Sequence, residues 1–220
     1  MAGMPHTMSD EWFRSSLWRE KDRELFEAKL ARAHKGNRAQ YLRIKALSLA
    51  ESGDKAARAA AGDLFERIFS EYPDDRLQVT MAHADKARGH RQGGEHDQAV
   101  EHYRRAVALE DAHGSIDSGV DLDLAELLVE RNENLEEAQT MLDRAATNGL
   151  VFKAERWRWL LTDARLAARA GERQRSMASA RAALKLLDDD RPDFPRHPDV
   201  GLIDTDRRTV REVKRLAAGR

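Results

Sequence analysis

The chain has 220 residues, of which 41% are hydrophobic and 35% charged, and its formal net charge is −1. That is enough for one large domain or a short solenoid, and alanine, leucine, arginine and glutamate so outweigh β-branched and aromatic residues that an all-α fold is expected. The balanced charge argues against a strong field for nucleic acid or an anionic membrane, and the lack of cysteine excludes disulfides, thiolate zinc sites and a cysteine nucleophile.

Residues 1–8, small and polar around Pro5, are expected to be flexible. Neither a secretory pattern nor a membrane-length apolar run is present, so a cytoplasmic location is expected. The excess of arginine over lysine suits a GC-rich bacterial genome. From about Ser9 to Ala33 a helical stripe is formed by Trp18, Leu25, Phe26, Leu30 and Ala33, with Trp12 and Phe13 beneath it or in a short turn before it. Lys35-Gly36-Asn37 reads as a left-handed C-cap.

Four helical hairpins follow, at about 38–73, 77–113, 120–148 and 153–187. The first turns at Ser52-Gly53-Asp54 and stops at Tyr72-Pro73, where proline cannot continue a helix. The second turns before Asp97, the third between Asn132 and Leu135, the fourth at Gly171, and Gly114–Gly119 is a turn cluster. Small residues recur in the second helices at Ala61, Ala99, Ala138 and Ser176. Four residues on stand Phe65, Tyr103, Leu142 and Ala180, and seven on stand Ile68, Ala106, Ala145 and Ala183. The first helices carry Ala46, Ala87, Ala125 and Ala164 at the matching close contact. Residues 188–203 contain three prolines and are expected to be extended, before a helix capped by Thr205 or Asp204. Val210, Val213 and Leu216 form that helix's apolar stripe, and Arg207, Arg208, Arg211, Lys214 and Arg215 occupy its other faces, as suits a terminal helix shielding an open end.

This pattern resembles the tetratricopeptide repeat, a hairpin of about 34 residues with a small residue in its first helix and an alanine-aromatic-alanine run in its second. Only the first hairpin has the closing proline, Pro73; Asp111 and Asp188 stand there in the second and fourth. The resemblance covers roughly 38–188 and implies a right-handed superhelix whose first helices line a concave surface. It places Gln40 and Arg43, then Met81, Arg88, Arg91 and Gln92, then Glu126 and Glu130, then Arg158, Leu161, Arg165 and Arg169 in the groove.

The expectation is a non-catalytic scaffold whose partly basic groove, formed by Gln40, Arg43, Arg88, Arg91, Gln92, Arg158, Arg165 and Arg169, receives an acidic or C-terminal peptide. The opposing reading makes those arginines a salt-bridged face. The lysine and asparagine set of carboxylate-clamp repeats is not in register. A ligand- or peptide-sensing module is the alternative, and an enzyme the third reading, for no P-loop, dinucleotide fingerprint, nucleophile elbow or HExxH occurs. No cofactor or metal is expected: His83, His90, His96, His102 and His113 lack ligand spacing and read as surface or core histidines. Nucleic acid and membrane are not expected partners, and a homodimer is left open. Phe194, between prolines, is expected to pack against the last hairpin, with Trp157 or Trp159 as its receiver, rather than to lie in the groove.

Overall fold

A computed structural model describes residues 11–52, 54–114, 116–189, 191–194, 196–197 and 200–220. The expectations for residues 1–8, and for the turn glycine Gly53, lie outside the described residues. Among them there is no strand. The helices are α1 (Glu20–Arg32), α2 (Arg38–Ala50), α3 (Lys55–Glu71), α4 (Arg76–Gln92) and α5 (His96–His113). They continue with α6 (Val120–Arg131), α7 (Leu135–Asn148), α8 (Lys153–Arg169), α9 (Arg173–Leu187) and α10 (Arg207–Ala217). Local chemistry sets many of the boundaries. Asp54, Asp75, Asn134 and Asp206 each accept a hydrogen bond from a first-turn N–H of the helix they precede. Glu155 reaches back to the N–H of Phe152 at 3.0 Å, closing the start of α8.

Contacts divide the chain into two compact units, one ending at Ser118 and one spanning Gly119–Arg220. The boundary falls inside the turn cluster that the sequence places between hairpins of a single repeat domain over 9–187.

In the first unit α2 packs on α3, α4 on α5, and α3 on α4. Ahead of them a 3-10 turn, Trp12–Arg14, lays its aromatics on the hairpin core. Trp12 meets Phe26 and Tyr41 with ring centroids 5.2 Å apart in each case, and Phe13 stacks on Tyr41 at 4.7 Å. In the second unit α6 pairs with α7 and α8 with α9, and α10 packs against α9 and α8.

The small-residue pattern is a packing pattern. Ala61, Ala99, Ala138 and Ser176 are buried, as are Phe65, Tyr103, Leu142 and Ala180, and Ile68, Ala106, Ala145 and Ala183. Ala46, Ala87, Ala125 and Ala164 are wholly inaccessible. Short side chains there let paired helices approach closely, and larger ones would force side chains off their rotamers.

Three local expectations are corrected. Leu25 is 56% exposed, so the stripe of α1 reduces to Phe26 and Leu30. Gly36 is not left-handed; Lys35–Asn37 forms a 3-10 turn, and Arg38 caps the end of α1 by donating to the carbonyls of Ala31 and Ala33. The N-cap of α10 is Asp206, two residues beyond Asp204.

Candidate functional site

The expected groove arginines lie on α2, α4 and α8. In the first unit Arg43 donates to Gln78 at 2.9 Å and pairs with Asp85 at 2.7 Å. Asp85 also faces Arg88, at 3.4 Å, and Arg88 donates onward to the carbonyl of Ser118 at 2.8 Å. Asp85 therefore bridges the arginines of successive first helices. Gln40 is exposed on α2, while Arg91 is half-buried and Gln92 exposed at the end of α4.

In the second unit the same kind of bridge is tighter. Arg158 binds Asp123 at 2.6 Å and Glu126 with both donors of its fork, at 2.8 and 2.7 Å. Burial is the largest single influence on that guanidinium and disfavours its charge; the hydrogen bonds and charges of Glu126 and Asp123 together outweigh it and raise its pKa. Arg165 forms a bidentate pair with Glu212 of α10, at 2.9 and 2.8 Å. That hydrogen bond holds Glu212 below the usual glutamate range, against the opposing effect of burial. Arg169 is exposed, one turn further along α8.

The acidic run of α6 is accounted for by the same chemistry. Asp121 takes hydrogen bonds from Arg144 and Asn148, each at 3.1 Å, and Asp123 and Glu126 receive Arg158 from the following hairpin. Glu110 at the end of α5 is buried and accepts from both the N–H and the hydroxyl of Ser118, which fastens the linker. Asp163, absent from the candidates drawn from sequence, is buried and gathers Arg175 and Ser179. No local signal marks it, because its partners stand on the next helix.

Histidines form a column in the first unit. His83 and His102 are buried, their Nδ1 atoms 2.9 Å apart, so one ring donates there and the other accepts. Phe69 stacks on His83 at 4.2 Å, and His90 stacks on the far face of the cluster, 5.4 Å from His102. Burial, joined by the charges of Arg105 and Lys86 and opposed by Glu66, pushes His83 down to about 4. Burial with Lys86 takes His102 to about 3. Among the described residues no group of three or more histidines and carboxylates could hold a metal ion.

The described residues of segment 188–203 are held against the start of α8. Asp193 accepts from the N–H of Lys153 at 2.5 Å and pairs with Arg156 at 3.1 Å, capping α8 from a distance in sequence. Ala154 donates to the carbonyl of Gly201. Phe194 meets Phe152, edge to face at 5.8 Å, and remains 39% exposed. The tryptophans are engaged elsewhere: Trp157 is buried in the core of α8, α9 and α10, and Trp159 donates to the carbonyl of Leu142. Against segment 188–203 lies a cleft of about 280 Å³ lined by Leu186, Leu187, Leu202, Ile203 and Lys153.

A scan against protein-family models finds no match, and searches of the curated proteins and of the solved structures find no similar chain. No helix of the described residues is long and apolar enough to cross a membrane.

Proposed function

We propose that the chain is a non-catalytic scaffold, tetratricopeptide-like in design, that holds a peptide or an extended segment of a partner protein on the first helices of a unit. The observation that carries this reading is the set of partly buried arginines, Arg43, Arg158 and Arg165, each held in place by a carboxylate. A side chain already fixed by its neighbours loses little further freedom when a ligand docks, which lowers the entropic cost of association. The forks also refine the chemistry expected of the ligand. Arg43, Arg158 and Arg165 present mixed-sign pairs rather than bare positive charge. Such pairs suit a segment that brings both donors and acceptors, including its own backbone.

Exposed positions on the same helices allow a test that leaves the forks intact. Peptide-array binding is compared between the wild-type chain and variants carrying Gln40→Glu in the first unit or Arg169→Glu in the second. Binding altered by either substitution, with unchanged thermal unfolding, supports the reading; an unchanged array profile for both rejects it. The cleft lined by Leu186, Leu187 and Ile203 supports the small-ligand alternative, and a thermal shift with metabolite pools that Leu187→Trp abolishes would favour it.

A further inference from the structure

Arg43, Arg88, Arg158 and Arg165 are ion-paired with carboxylates, whereas the cations of α10 form no ion pair among the described residues, and Asp206 and Glu212 reach Arg208 and Arg215 only as nearby charges. Arg207, Arg208, Arg211, Lys214 and Arg215 are all exposed, and none makes an ion pair with another described residue. At 3.6 residues per turn, Arg207, Arg211 and Lys214 follow one another up a single row, with Arg208 and Arg215 on the row beside it. All five therefore share one face of an 11-residue helix. The opposite face is fixed, for Val213 and Ala217 are buried with Trp157, Leu161 and Ala180, and Arg181 donates to the carbonyl of Ala217. The helix's one acid, Glu212, is turned away to Arg165.

Helix stability does not explain this arrangement. Cations at the C-terminal end are favoured by the macrodipole, which accounts for Lys214 and Arg215. Arg207 and Arg208 occupy the first turn, where the same dipole opposes them. Arg211 lies three or four residues from each of the other four, so every such neighbour adds repulsion. A pre-ordered cationic strip of this kind, countered only in part by Asp206 and Glu212, gains when an anionic partner covers it.

We propose that the solvent face of α10 docks an acidic, carboxylate-rich peptide segment of a partner protein. This surface is separate from the first-helix face and does not depend on it. Four of its five cations are arginines, whose planar forks bind carboxylates bidentately. A membrane is the poorer occupant, because the apolar stripe of α10 is committed to α8 and α9 and leaves nothing to insert. Nucleic acid is poorer too: the chain's net charge is −1, and Glu130 and Glu126 lie within electrostatic reach of Arg165 on the adjoining face, where a phosphate backbone continuing past α10 would be repelled.

The test uses the full chain and a fluorescein-labelled oligoglutamate peptide, followed by anisotropy. The proposal expects binding that weakens with added salt and falls at least about tenfold when Arg207, Arg211 and Arg215 are together changed to glutamine. The exposed positions should leave thermal unfolding unchanged; should the triple variant unfold, Arg211→Gln alone and the salt dependence of the wild type decide. Arg169→Glu, which tests the first-helix face, should leave oligoglutamate binding nearly intact. Equal affinity for oligoglutamate and a neutral oligoglutamine overturns the proposal, as does loss of binding through Arg169 but not through α10. Tighter, α10-dependent capture of oligothymidylate or of phosphatidylserine vesicles assigns the strip to another partner and overturns it as well.

Discussion

Each unit uses a buried lysine to fasten an irregular segment to its helices, but the two lysines are held differently. In the first unit Lys45, 1% exposed, donates to the carbonyls of Ser15 and Leu17 at 2.5 and 3.0 Å. Its ammonium lies 5.2 Å from the ring centre of Trp18 and 5.7 Å from that of Phe26. Among the described residues no carboxylate is paired with it; burial lowers its pKa, and the more distant Asp22 only partly opposes this. In the second unit Lys153 donates to the carbonyls of Asp189 and Arg191 and also has the Asp189 carboxylate at 3.6 Å. One charge is sustained by carbonyl dipoles and aromatic faces, the other by a counter-ion as well. Ion pairs occur in both units, Arg43 with Asp85 in the first and Arg158 with Asp123 and Glu126 in the second, but only the first adds a buried histidine pair, His83 with His102. Both units pair their buried carboxylates, and the first in addition buries a histidine pair whose charged form burial disfavours.

Acid should separate the units most sharply. An unfolded histidine takes up its proton near pH 6.5, whereas folded His83 and His102 do so only near 4 and 3. Between those values the unfolded state binds more protons, so the column's contribution is complete above about pH 6.5 and is lost as the pH falls towards 4. The loss should reach about 3 kcal/mol or more by pH 4. Denaturant unfolding followed at several pH values checks this, and changing both His83 and His102 to leucine should flatten the profile across that window.

Lys45→Met should cost about 3 kcal/mol, since it leaves two carbonyls and two aromatic faces without their cation. Lys153→Met should cost less, about 1–2 kcal/mol, because Asp189 is partly exposed and retains Arg191. Urea titration reads both, and the reverse order would break the contrast between the lysines. In the second unit Arg158→Leu should cost about 2 kcal/mol, because Asp123 and Glu126 then lose the guanidinium that all three hydrogen bonds come from. Gly201→Ala should cost about 1–2 kcal/mol: φ is +79° there, and an added Cβ would stand 2.5 Å from the Asp193 carboxylate that caps α8. The smallest effect belongs to Leu25→Ser, within about 0.5 kcal/mol, because the side chain is 56% exposed.

Much of this architecture is legible in the order of the residues. Caps, turn residues and the 3.6-residue period act over a few positions, and they place α2, α5 and α9 within a residue or two of their observed ends. Every small or aromatic position of the repeat, from Ala46 to Ala183, is buried as that periodicity requires. The same register singles out the arginines of the first helices, but not their state. Arg158 looks the same in sequence whether it meets solvent or two carboxylates 32 and 35 residues away.

By itself, then, the sequence determined helix limits, the inward faces of the paired helices and the cationic composition of α10, all consequences of neighbours within one or two turns. Tertiary structure alone decided which charges are paired and which stand open, that Lys45 is buried, that His83 touches His102, and that the contacts part after Ser118. Those outcomes depend on side chains brought together across 19 to 47 residues, where the free energy of a charge is set by whichever group arrives beside it.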